Sequence, residues 1–389
     1  MTGPEGVSPL HYFLTQSRVI VTYIRLVFLP IHLNLDYDYP VFKSIFEMPV
    51  LTSFLFLAAV LIGAKKMFSK YRLISFSIFW FFLTLLPESS FLPQRDLIVE
   101  HRLYLPLVGY SIFLVSVSYY LFGKNGIKMM IAALTMIVVC NSVLTYQRNK
   151  IWKDEFTLWN DTVQKSPHKA RPHNNRGSAY YNQGNFTQAM SDYNKALEID
   201  PEFADAYYNR GAIYGRQGEF TQAMLDFNKA IEIAPQYAEA YDDRGSIYYK
   251  QGKFTQALSD YNRAIEIGAK SAQVYNNRGN IYADHGYLPQ AISDFSKAIE
   301  INPAFAEAYN NRGTMYGQQG DFTQAIADFT KAIEITPKSA EAYNNRGFAY
   351  LKEKSYDKAW ADVRKAQGLG AAVDLSFINE LKQASGKDQ

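Results

Sequence analysis

Between two charge-free stretches, residues 92–106 read LPQRDLIVEHRLYLP and crowd Arg95, Asp96, Glu100, His101 and Arg102 into one short run. Guanidinium and protonated imidazole groups hold anions, and carboxylates orient cations or take up protons. Ionisable groups squeezed between apolar spans point to a functional site; mutual pairing in a solvated loop is the alternative. A second polar set recurs later. Asn175, Asn209, Asp243, Asn277, Asn311 and Asn345 follow one another every 34 residues. An amide offers donors and an acceptor together, so a row of amides can hold the backbone of an extended peptide without reading its side chains. Hydrating a groove, or bonding within the stack that carries them, is the other role open to this row.

The elements that must position these groups fall into two chemically different halves. Residues 1–150 hold 13 Lys and Arg against 7 Asp and Glu, and residues 151–389 hold 27 against 30, a balance of +6 followed by −3. Charge-free runs cover residues 48–64, 73–87, 103–123 and 129–147. The last two reach the ~20 residues with which a helix crosses hydrocarbon. The first two span if Lys65, Lys70 and Arg72 snorkel at their ends. Four transmembrane helices are therefore expected. In residues 12–30, Arg18, Thr22 and Arg25 form a polar stripe at helical spacing, which suits an amphipathic interfacial helix or a span packed against others. The opening MTGPEGVSPLHYF has no signal-peptide pattern.

Lys65, Lys66, Lys70 and Arg72 fill one linker, and Lys124 and Lys128 another. The positive-inside rule makes both linkers cytoplasmic. Residues 92–106 and everything after residue 147 are then expected on the extracytoplasmic side, whether periplasmic, extracellular or lumenal, of a multi-pass membrane protein.

The second half is periodic. NNRGSAYYNQGNFTQA and its five counterparts place Gly177, Gly211, Gly245, Gly279, Gly313 and Gly347 at a strict 34-residue step, each followed by a Tyr three residues on. This period and pattern resemble the tetratricopeptide family, with six repeats starting at residues 170, 204, 238, 272, 306 and 340. The expected fold class is all-α: polytopic transmembrane helices over residues 1–147, then a tetratricopeptide-repeat α-solenoid over 170–372. Residues 148–169 form a junction with the second helix of a partial repeat, and 373–389 a capping helix and tail. The resemblance puts the Asn row on the concave surface of the superhelix, and a similar ladder occurs in the repeat domain of O-GlcNAc transferase.

Each repeat also has an Arg before its Gly and an Asp sixteen residues later, from Arg176 and Asp192 to Arg346 and Asp362. These are expected to pair across the two helices of a repeat. With every Arg matched and the half net negative, a nucleic-acid partner is not expected. The single cysteine, Cys140, lies in an apolar run, so a disulfide framework and a Cys-rich metal site are excluded. No phosphate-binding Gly loop, HExxH or nucleophile motif occurs, and no catalytic residue, cofactor or metal is assigned.

LPESSFLPQRDLIVEHRLYLPLVGYSIFL, the following IWKDEFTLWNDTVQKSPH and the repeats together resemble the C-terminal part of the transmembrane and tetratricopeptide-containing O-mannosyltransferases and their bacterial relatives in the GT-C superfamily. The resemblance implies transfer of a sugar from a polyprenyl phosphate to a protein. It implies further that Arg18, Arg25, His101 and Arg102 serve the lipid phosphate, with Asp96 or Glu100 orienting them. GT-C enzymes carry an acidic catalytic motif in their first extracytoplasmic loop, and no Asp-Asp or Asp-Glu pair lies near a span in residues 1–150. The chain therefore resembles a truncated transferase lacking that loop. Two functions are expected: a membrane-anchored repeat protein binding proteins or extended peptides on the extracytoplasmic side, or the lipid-phosphate and acceptor-binding portion of a glycosyltransferase.

Overall fold

The computed structural model describes residues 8–31, 33–86, 103–123 and 126–386, apart from the side chain of residue 104, and every element among them is helical. The chain forms two compact units, Met1–Ala206 and Tyr207–Gln389. In the first, α1 (Pro9–Phe28) starts where the Ser8 hydroxyl accepts from the His11 amide and Pro9 takes the first turn. Four apolar helices follow: α2 (Met48–Met67), α3 (Arg72–Leu85), α4 (Tyr104–Phe122) and α5 (Ile127–Ile151). Residues 48–67, 105–122 and 127–151 are long and apolar enough to cross a membrane. At 14 residues α3 is shorter than the ~20 that hydrocarbon asks for. Helix α5 buries none of its residues against protein, an apolar surface of the kind that is stable against hydrocarbon and not against water.

Helix α1 is packed on one face. Val19, Tyr23 and Leu26 are buried with Phe81 and Leu85 of α3 and with Leu103. This leaves Arg18 and Arg25 exposed on the other side. Helix α6 (Glu155–Lys165), capped by the Asp154 carboxylate on the Thr157 amide, leads into the first repeat, α7 (Ala170–Asn182) and α8 (Phe186–Ile199).

Five further helix pairs follow: α9 (Ala204–Gln217) with α10 (Phe220–Ile233), α11 (Ala238–Lys250) with α12 (Phe254–Ile267), and α13 (Ala272–Asp284) with α14 (Leu288–Ile301), then α15 (Ala306–Gln319) with α16 (Phe322–Ile335) and α17 (Ala340–Lys352) with α18 (Tyr356–Gly368). The repeating Gly is a packing device. A Cβ on Gly279 would lie 2.7 Å from the Phe295 ring, so only glycine lets the second helix bring its aromatic residue this close. In the last repeat Val363 stands where the others have Tyr or Phe. There the final helix, α19 (Leu375–Ser385), supplies the ring instead, with Phe377 buried against the site of Gly347.

Candidate functional site

Arg18 and Arg25 stand two turns apart on α1, with Thr22 between them. The segment after α1 folds back beside this face, and the Thr22 and Tyr39 hydroxyls share a hydrogen bond of 3.0 Å. Together with Tyr37 these residues line a cavity of about 430 Å³. Burial raises the Tyr39 phenol above its ordinary pKa, against the opposing pull of the Thr22 hydrogen bond and the two guanidinium groups. Neither arginine has a carboxylate partner among the described residues. Two guanidinium groups around one cavity form a donor set for an oxyanion, while the Thr22 hydroxyl is engaged in the wall, bonded to the Arg18 carbonyl and to Tyr39. Asp96, Glu100, His101 and Arg102, expected to complete this site, lie outside the described residues.

Composition alone did not foreshadow the other side of the same segment. Asp36 is buried, and its two oxygens accept from Lys169 Nζ and Arg171 Nε, each at 2.7 Å. Burial opposes its charge, but those two cations prevail and hold the carboxyl below its usual pKa. The Ser166 hydroxyl accepts from Asn34 Nδ2 at 2.7 Å and from the Asp38 amide at 2.9 Å, and the Leu33 carbonyl accepts from Lys165 and Arg148. Residues 33–39 thus form a strap that is tied to the start of the repeats by Asn34 and Asp36 and faces the arginine cavity with Tyr37 and Tyr39.

Within the repeats, all six Arg form two-pronged pairs with the Asp of their own repeat, as in Arg278 Nε and Nη2 donating to Asp294 at 2.7 Å each. The guanidinium of Arg278 is stacked between the rings of Tyr275 and Tyr282. Its remaining nitrogen reaches back to Asn262 of the preceding repeat at 2.7 Å. The arginines are therefore occupied in the architecture.

The Asn row lies half-buried on the first helices, and carboxylates fix the polarity of the amides to which Asn311 and Asn345 donate. Glu341 can only accept, so Asn310 must turn Nδ2 to it (2.9 Å) and its Oδ1 away. That Oδ1 takes Nδ2 of Asn345 at 3.1 Å. One repeat earlier the same relay runs from Asn311 through Asn276, which is fully buried, to Glu307. Asn311 spends its second hydrogen on Asn280. Asn277 donates to Ser246 and accepts from Gln273, Asn175 accepts from Asn174, and Asn209 is half-buried on α9. Asp243 is also half-buried, with its pKa raised by burial. A cavity of about 430 Å³ reaches Asn311, Asn310, Glu307 and Glu341, and a second of about 390 Å³ reaches Asn345, Asn344, Phe348 and Phe377. Asn276, Asn310, Glu307 and Glu341, which orient Asn311 and Asn345, fall outside the sequence-based expectation, and their recurrence at the same 34-residue step is the signal that points to them.

The paired helices, the Gly–aromatic packing and the period decide the architecture. The second half of the chain is a tetratricopeptide-repeat array. Family models described as TPR repeat match residues 177–218, 245–286, 279–320 and 313–353, and those described as tetratricopeptide repeat match 204–237 and 340–369. Among curated proteins the tetratricopeptide chain is 29% identical over 159 residues to Protein O-mannosyl-transferase Tmtc3 of Drosophila melanogaster, covering 39% of this chain and 17% of that protein. It is 25% identical over 210 residues to Protein O-mannosyl-transferase TMTC1 of Homo sapiens, covering 51% and 24%. The chain is related to these transferases and spans under a quarter of the length of either. Among solved structures, the APC/C hetero-tetramer Cut9-Hcn1 aligns with a TM-score of 0.50 at 16% identity, covering 94% of this chain and 62% of that one, a likeness of fold alone.

Proposed function

We propose that this is a multi-pass membrane protein whose tetratricopeptide repeats, on the extracytoplasmic side, hold extended protein segments along the Asn row. The observation that carries the reading is the oriented ladder itself: Asn311 and Asn345 use Nδ2 within the stack, so each keeps an oxygen for a backbone N–H of a bound chain. The three long apolar helices support membrane anchoring, and the basic linkers support the sidedness. In the first unit the cavity of Arg18 and Arg25 takes the phosphate of a polyprenyl lipid.

Sidedness is checked with single cysteines at positions 126 and 185 of a Cys140→Ala variant and an impermeant thiol reagent on sealed vesicles. Opposite labelling is expected; a cytoplasmic position 185 would move the repeats to the other side. The lipid site is checked by binding a polyprenyl phosphate and the matching polyprenol to the purified chain. The phosphate should bind tighter, and Arg18→Ala with Arg25→Ala should erase the difference. Equal binding of phosphate and alcohol by the unaltered chain removes the lipid reading.

The kinship with O-mannosyltransferases favours a second reading, in which the same two sites are the lipid-phosphate and acceptor-binding parts of a polyprenyl-phosphate-sugar:protein O-glycosyltransferase. A sugar-transfer assay with a mannosyl polyprenyl phosphate and an unfolded acceptor protein separates the two: turnover supports the transferase, and binding without turnover supports the first reading.

A further inference from the structure

Three positions on the first helices of the Tyr207–Gln389 unit carry acids and no cations, with Lys250, further along α11, the cation that acts on Asp243. At the second, fifth and sixth positions of the repeats between residues 207 and 345, the charged residues are Glu239, Asp242, Asp243, Glu307 and Glu341, with no Lys or Arg. The arginines at the seventh position are tied to Asp and stacked on Tyr, so they do not offset this charge. The amide relays point the same way. Because each ends on a glutamate, both run Nδ2 into the stack, Asn311 with two hydrogen bonds and Asn345 with one, and the oxygens of Asn311 and Asn345 stay available. Two oxygens on this face are buried without a partner among the described residues: Asp242 Oδ1, and Asn344 Oδ1 beside the 390 Å³ cavity. Asn344 occupies the fifth position of the sixth repeat, after which α19 stands in place of a repeat's first helix. A buried acceptor left unmet costs free energy that a ligand's donor can recover.

We propose that the segment this face takes is positively charged. Its backbone N–H groups meet the oxygens of the Asn row, and its Lys or Arg side chains meet Glu239, Asp242 and Asp243 at one end and Glu307 and Glu341 towards the other. The inference rests on the peptide-binding reading above and adds the chemistry of the partner. An acidic or phosphorylated segment meets carboxylates and bare oxygens on the same surface and is rejected.

The test uses the full chain in lipid nanodiscs and three fluorescein-labelled 16-residue peptides of Gly, Ser and Ala carrying four Lys, four acetyl-lysines or four Glu. Fluorescence anisotropy should show the Lys peptide binding about tenfold tighter than the acetyl-lysine peptide at low salt, with the margin shrinking as salt is raised. Binding of the Glu peptide should be the weakest. The triple variant Glu239→Gln, Asp242→Asn and Asp243→Asn, which removes repulsion and should fold at least as well, should bring the Lys and acetyl-lysine peptides close together. If the acetyl-lysine peptide binds as well as the Lys peptide, the charge inference is overturned and peptide binding stands. A preference for Glu overturns it as well. If none of the three binds, peptide binding itself fails.

Discussion

At the scale of single residues, chemically similar groups divide into those that hold the array together and those that it presents. Arg278 gives two hydrogen bonds to a nearly buried Asp294, one to Asn262, and two ring contacts. Arg278→Leu leaves that carboxylate buried and unpaired and should cost about 3–5 kcal/mol of array stability, read as lost hydrogen-exchange protection in residues 272–301. Asp242 behaves in the opposite sense. Burial, with Asp243 and Glu239 nearby, raises its pKa from 3.8 to about 7. The folded chain then holds a proton that the unfolded chain has released between about pH 4 and pH 7, so this group's contribution to stability falls as pH rises through that window. Asp242→Asn, the residue at this position in four other repeats, should leave exchange protection of 238–250 unchanged at pH 4 and raise it at pH 8. The pairing of Arg with Asp was legible in the sequence because both recur at one fixed spacing. Amide polarity was not, since it depends on Glu307 and Glu341, 31 residues beyond the Asn that each orients.

At the scale of elements, the decisive pieces are those that break the period. The sequence suggests a cap at residues 373–389; in the structure Phe377 of α19 fills the place left by Val363. Phe377→Ala should cost about 3–5 kcal/mol, felt first in α17 and α18 as early loss of exchange protection. The strap was illegible for a different reason. Asp36 is separated from Lys169 and Arg171 by more than 130 residues, and neither propensity nor period links LNLDYDYP to HKARPH. Asp36→Asn should free the strap and raise proteolysis near residues 33–40. Because its carboxyl pKa is lowered by folding, the native contact should persist from neutral pH down to about pH 4 and weaken only as pH falls through the folded value.

At the scale of the whole molecule, the two units carry different chemistry, two arginines around one cavity in the first and oxygen acceptors with carboxylates in the second. Apolar runs and the 34-residue step made both halves readable as classes of structure, while the cavity and the relay emerged only from packing. The central claim is that the Asn row holds a bound chain through its backbone. Its most direct test is the affinity of the full chain in nanodiscs for the best-binding of the three peptides, measured with and without Asn277→Ala, Asn311→Ala and Asn345→Ala together. Three hydrogen bonds at about 1 kcal/mol each predict a loss of about 100-fold, with melting lowered as well because the buried oxygens of Asn276 and Asn310 lose their donors. Undiminished affinity in the triple variant would contradict the account.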